Sequence, residues 1–217
     1  MAEPANLDEL RVALAPAIAD AAAFDGWSDA AVRDAASLKG ISPDAAAFAF
    51  SGGAMDMIEA WVRSVDQAMI AVWPAEKIAP LKIRERICTL VQFRLDAIAG
   101  QKEALRRALS IMAMPQNVAR STRLGWSSAD AMWRLAGDTA TDYNHYTKRL
   151  TLGSIYAATL AFYVNDTSED HAETRAFLDR RIEGIMKFEK VKARVMRPRE
   201  EHFSLARFLG RLRYPAR

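Results

Sequence analysis

Apolar positions along this chain recur every three to four residues, and strict alternation never lasts more than a few positions. That period belongs to helices, so the chain is expected to be helical throughout. A first helix is expected from about Leu7 to Ala23, with Gly26 marking its exit. Ser28 suits the N-cap of a second, ending near Gly40, and Ser42-Pro43 starts a short third over Asp44–Phe50. A longer helix follows Gly52-Gly53 and runs to Trp73, after which Pro74 and Pro80 bound a connection. Helices over Leu81–Ala99 and Gln101–Met114 come next. Pro115 opens another that closes at Gly137, with Leu124, Met132, Trp133 and Ala136 as its buried stripe. Thr141 is placed to cap a helix reaching Val164. The last long helix covers Asp170 to about Val195, with Phe177, Leu178, Ile182, Ile185 and Met186 at helical spacing. Pro198 ends it, and a separate helix over about Glu200–Leu212 closes the chain.

Three short helices, two of them joined by a tight turn, precede five or six longer ones. This is the order of a helix-turn-helix head on an all-helical ligand-binding body, as in TetR-type regulators. The expected fold is therefore all-α and TetR-like. The expected divisions are a degenerate head over residues 1–50, a helical body over 51–196 and a basic amphipathic tail over 197–217.

Charge changes what the head is expected to do. The net charge of +3 conceals a split. Residues 1–50 hold 8 acidic and 3 basic side chains, whereas residues 190–217 hold 9 basic and 2 acidic. DNA affinity rests on Lys and Arg neutralising phosphates. The candidate recognition helix, Asp44–Phe50, has no base and no Asn or Gln to read a base edge. No nucleic-acid partner is expected.

The basic end has its own pattern. Phe203, Leu205, Phe208, Leu209 and Leu212 populate the last helix; Leu205, Phe208, Leu209 and Leu212 share one face, and Arg207 and Arg211 occupy another. Phe and Leu opposite Arg is the composition of a helix that lies in a membrane surface. Packing on the body or on a second subunit is the alternative. The most apolar stretch, Ser154–Val164, spans 11 residues, short of the ~20 needed to cross a bilayer. Met1–Glu9 lacks the pattern of a secretory signal. A cytoplasmic protein, peripheral on the inner membrane surface, is expected.

Catalytic chemistry is not signalled. The one cysteine, Cys88, reads as a structural thiol. The three histidines, His145, His171 and His202, form no His-Glu-x-x-His or Glu-x-x-His pattern. His171, flanked by Glu169, Asp170 and Glu173, reads as a solvated helix start. There is no Gly-x-Ser-x-Gly and no phosphate-cradling loop. No catalytic residue, cofactor or metal is expected.

The run Gly137-Asp138-Thr139-Ala140-Thr141-Asp142-Tyr143-Asn144-His145-Tyr146-Thr147-Lys148-Arg149 is unusual, packing polar and aromatic residues into a turn and one helix start. With Ala108–Asn117 upstream and Leu178-Asp179-Arg180-Arg181-Ile182 downstream, it resembles the coenzyme Q (ubiquinone) biosynthesis accessory family, the ninth of the Coq proteins. The resemblance runs from Ala22 to about Lys192. It implies a homodimer that binds isoprenoid lipids in an apolar cavity and presents the quinone precursor to a di-iron hydroxylase. It also implies a partner-binding patch of Asp142, Asn144, His145 and Tyr146, with Lys148 and Arg149 one turn on. Members of the family carry tryptophan where this chain has His145. Met112, Met114, Trp126, Met132 and Trp133 are the expected lipid-cavity residues, methionine being suited to adaptable apolar walls. Each assignment has a plainer counterpart. Asp142 and Asn144 can serve as helix caps, Lys148 and Arg149 as a solvated face or as partners of acids, and the methionines and tryptophans as ordinary core.

Overall fold

The computed structural model describes residues 6–139 and 143–195. Among these the regular structure is entirely helical. The head comprises α1 (Leu7–Asp25), α2 (Asp29–Lys39) and α3 (Pro43–Ala49). Side-chain caps set their starts, Ser28 and Ser42 as expected and Asn6 in addition. The side chains of Asn6, Ser28 and Ser42 accept from the backbone N–H groups of Glu9, Ala31 and Ala45. Gly40 closes α2 in the left-handed conformation that glycine adopts without strain. On α3, Asp44, Ala45, Ala47 and Phe48 face solvent and Ala46 and Ala49 face inward, so its outer face carries no base.

The body continues with α4 (Ala54–Val72), α5 (Ala75–Ile78), α6 (Ile83–Ala97), α7 (Lys102–Met112), α8 (Val118–Leu135), α9 (Tyr143–Tyr163) and α10 (Ala172–Val195). Two expectations are corrected. The connection between Pro74 and Pro80 contains α5, one turn whose Ile78 is fully buried. Four residues are too few to display a period. The helix expected from Pro115 begins instead with a 3₁₀ turn, Pro115–Asn117, before α8. There the Asn117 side-chain amide donates to the Ile111 carbonyl at 2.8 Å and ties the turn back to α7.

Head and body are joined by tryptophans. Trp27, just ahead of α2, lies 5.3 Å from Trp61 of α4, ring centre to ring centre. Trp27 Nε1 donates to the Ala104 carbonyl at 3.0 Å and Trp61 Nε1 to Gln101 Oε1 at 2.9 Å. Both indoles are buried with their N–H groups satisfied, which lets a large aromatic enter a core without penalty. Leu14 and Ile18 of α1 are fully buried.

One compact unit runs through Ile182, and residues 183 onward form a second. In the second, Lys187 pairs with Glu183 at 2.8 Å on an exposed helix face. The tail residues Phe203, Leu205, Arg207, Phe208, Leu209, Arg211 and Leu212 lie outside the described residues. Among the described residues no helix is long and apolar enough to cross a membrane.

Candidate functional site: an apolar cavity beside an aromatic patch

Helices α4, α6, α7, α8 and α9 enclose a cavity of about 400 Å³. Most of its wall is apolar, including Val65, Ile98, Leu105, Met112 and Leu160. Size and lining suit a small apolar ligand. Two of the five residues expected in the cavity line it, Met112 and Trp126. Met114 is 43% exposed and outside it, and Met132 is fully buried in core. Trp133 lies outside it too, where its Nε1 donates to the Lys148 carbonyl at 3.0 Å and so joins α8 to α9.

The cavity has a polar region that the sequence reading missed. Arg94 of α6 lines it and is 1% exposed. Its Nη1 donates to Asp66 Oδ1, and its Nη2 donates to Ser128 Oγ at 3.1 Å. Its guanidinium lies 4.9 Å from the ring of Tyr156. Burial opposes the charge, but Tyr156 and Asp66 outweigh burial and hold the group protonated. A signal was present in the sequence. Ile87, Leu90, Val91, Leu95 and Ile98 form the buried face of this helix, and Arg94 falls within that stripe.

At the start of α9, Tyr146 is 62% exposed and Asn144 is exposed, whereas His145 is half-buried. The rings of His145 and Tyr146 meet edge to face at 5.2 Å. Trp126 of α8 stands 6.3 Å from His145 and 6.0 Å from Tyr146. Trp126 therefore touches this patch with one part of its surface and lines the cavity with another. Leu150 lines the cavity too and is 64% exposed, which puts a cavity opening one turn from Tyr146. Asp142 lies outside the described residues.

Arg149 is placed differently from the expectation of a surface residue. It is 2% exposed, with Nε donating to Asp130 Oδ1 at 2.6 Å and Nη1 to Asp138 Oδ2 at 2.8 Å. Burial opposes its charge as well, and the hydrogen bonds to Asp130 and Asp138 prevail. Lys148 donates to the other oxygen of Asp138 at 2.6 Å and lies 5.3 Å from the Trp133 ring. The charged end of the motif thus turns inward and fixes the start of α9 against α8, which is what orients the aromatic patch. Gly137 ends α8 with φ at +86°, and a Cβ there would come within 3.1 Å of Arg86 Nη1. That guanidinium clasps the Ala136 and Leu81 carbonyls at 2.7 Å each, so glycine is required at this turn.

The remaining histidine expectation also changes. His171 is half-buried, edge-on to Tyr163 at 4.7 Å, with Nδ1 3.2 Å from Lys102 Nζ. Among the described residues, no group of three or more His, Cys, Asp or Glu side chains is arranged to hold a metal ion.

Residues 118–189, which contain α8, α9 and the aromatic patch, match the COQ9 family model. The chain is 34% identical over 171 residues to the rat protein named Ubiquinone biosynthesis protein COQ9, mitochondrial, a match covering 74% of this chain and 54% of that one. For the human protein of the same name the identity is 33% over 168 residues, covering 74% and 52%. The chain thus spans about half the length of the curated relatives it matches. A TetR transcriptional regulator from Nitrosomonas europaea superposes with a TM-score of 0.64 at 24% identity, covering 80% of this chain and 96% of that one. The fold is accordingly TetR-like, and the chain belongs to the COQ9 family.

Proposed function

We propose that this chain is a non-catalytic, lipid-binding accessory protein of ubiquinone biosynthesis. In this reading it is a homodimer that holds an isoprenoid quinone precursor in the α4–α9 cavity. It presents that lipid at a membrane surface to a di-iron hydroxylase, which performs the reaction. The observation that carries the reading is Trp126, which lines the cavity and packs against His145 and Tyr146. A partner seated on the patch would stand beside the exposed Leu150, where the lipid would emerge. The names of the rat and human relatives support the pathway. The basic amphipathic pattern of residues 200–217 supports the membrane.

The TetR-like fold also suits a ligand-responsive regulator, but the base-free outer face of α3 and the acidic head weigh against DNA as partner. Native mass spectrometry of the purified full chain tests the main reading, reporting oligomeric state and bound lipid together. An isoprenoid lipid on a dimer is expected. A lipid-free chain with no affinity for added ubiquinone overturns the reading. Flotation with anionic liposomes, with and without residues 200–217, tests the tail, and equal binding removes its role.

A further inference from the structure

Arg94 has a hydrogen-bond donor to spare. Asp66 and Ser128 accept from its two Nη groups, yet its buried Nε–H has no hydrogen-bond partner among the described residues. Buried donors are almost always satisfied by protein, water or ligand, and leaving one unmade is costly. This orphan belongs to a residue in the cavity wall, beside Ser128 and Tyr156, which line the same cavity.

We infer that Arg94 is the head-group anchor of the cavity, its Nε–H donating to an uncharged oxygen at the polar end of an otherwise apolar ligand. Carbonyl, phenol and ether oxygens of a quinone-like ring fit this description. A fatty-acid carboxylate does not. The Arg94 charge is already matched by Asp66, whose side chain is only 14% exposed, so a second buried anion would face the first without a cation of its own. The Tyr156 ring lies along the guanidinium and lines the same cavity, giving a planar head group an aromatic surface beside the donor. Ser128 holds the arrangement in place by accepting from Nη2 at 3.1 Å while its hydroxyl lies 3.4 Å from Asp66 Oδ2. Arg94 would thereby set which end of the lipid sits deep.

This assignment rests on the lipid-binding reading and narrows it. Its test compares three probes on the full chain: a ubiquinone with two isoprene units, the same chain on an unsubstituted benzene ring, and palmitate. The quinone should bind on the order of tenfold more tightly than the hydrocarbon, as one hydrogen bond to a charged donor allows. Arg94→Lys keeps a charge opposite Asp66 but puts a methylene where Nε stands. It should abolish the preference for the quinone over the hydrocarbon. Should that variant fail to fold, the wild-type chain labelled with ¹⁵N-arginine decides. The Arg94 Nε–H resonance should shift with the quinone and stay put with the hydrocarbon. Equal affinity for quinone and hydrocarbon, or tighter binding of palmitate, overturns the anchor while the lipid reading survives. If none of the three binds, both fall.

Discussion

Arg149 donates to Asp138 at 2.8 Å across the turn that separates α8 from α9, and both side chains are at least 95% buried. Asp130 accepts from the same guanidinium at 2.6 Å. Removing one member of a buried, hydrogen-bonded ion cluster leaves uncompensated charge behind. Arg149→Ala should therefore cost about 3–5 kcal/mol of stability. Lys148 meets the same Asp138 but is 39% exposed, and Lys148→Ala should cost about 1 kcal/mol or less. Denaturant unfolding of the two variants checks the order. Equal losses would mean that Arg149 is not the residue holding the turn.

Tyr146 offers the complementary case. It is mostly exposed, so Tyr146→Ala should change stability by less than about 1 kcal/mol. In the proposed complex it should weaken hydroxylase binding by tenfold or more, as loss of an interface aromatic does, on the order of 2 kcal/mol. Calorimetric titration with the hydroxylase, beside a melting curve, separates the two effects. Unchanged affinity would remove the patch from the interface.

The helical order, the caps of α2 and α3 and the TetR-like fold could be read from periodicity and a few Ser, Pro and Gly positions, because these act locally. The motif spanning Gly137 to Arg149 pointed to the right family but not to the task of each residue. Lys148 and Arg149 could be read as partners of acids, but nothing in linear sequence says that Asp130 and Asp138 are the acids that lie opposite them. Met132 and Trp133 belong to the α8 stripe and Trp126 lies near it, yet only tertiary packing decides which of them faces a cavity and which faces another helix. Arg94 was the recoverable omission: a charge within the buried face of α6 is visible without any structure.

Asp166 ties the α9–α10 connection and carries a pH prediction. Its Oδ1 accepts from the Ser168 N–H at 2.8 Å and hydroxyl at 2.6 Å, and its Oδ2 from the Thr174 N–H at 2.9 Å. Burial alone would raise its pKa, but the hydrogen bonds from Ser168 and Thr174 prevail and hold it well below the usual carboxylate range. A depressed folded-state pKa gives stability that is complete above the unfolded value, about 3.9. That stability is lost as pH falls towards the folded value. The stability gap between wild type and Asp166→Asn should be constant from about pH 7 to pH 5 and narrow below about pH 4. A gap that widens on acidification would contradict this sign.

Cys88 should be a sluggish thiol. Burial, and then the charge of Asp179, push its pKa up to about 11, with Arg84 opposing. Its Sγ lies 3.8 Å from Asp179 Oδ1. Alkylation at pH 8 should run roughly two orders of magnitude slower than for an ordinary thiol, since the thiolate is the reacting form. Asp179→Asn should speed it. Labelling followed by mass spectrometry reads both rates, and an unaltered rate in the variant would leave burial as the whole cause.

Filling the cavity separates its role from that of the patch beside it. Ala157 of α9 lines the cavity yet is exposed, so a larger side chain there can enter the opening without displacing packed core. Ala157→Trp should take up ligand space and change stability by less than about 1 kcal/mol, as surface substitutions do. Bound lipid in the purified protein should drop several-fold, while the aromatic rings of Trp126, His145 and Tyr146 keep their arrangement. Hydroxylase affinity measured without lipid should therefore hold, and turnover of the quinone precursor should fall. If lipid occupancy is unchanged by the tryptophan, the ligand is held elsewhere, and Trp126 loses its place as the link between lipid and partner.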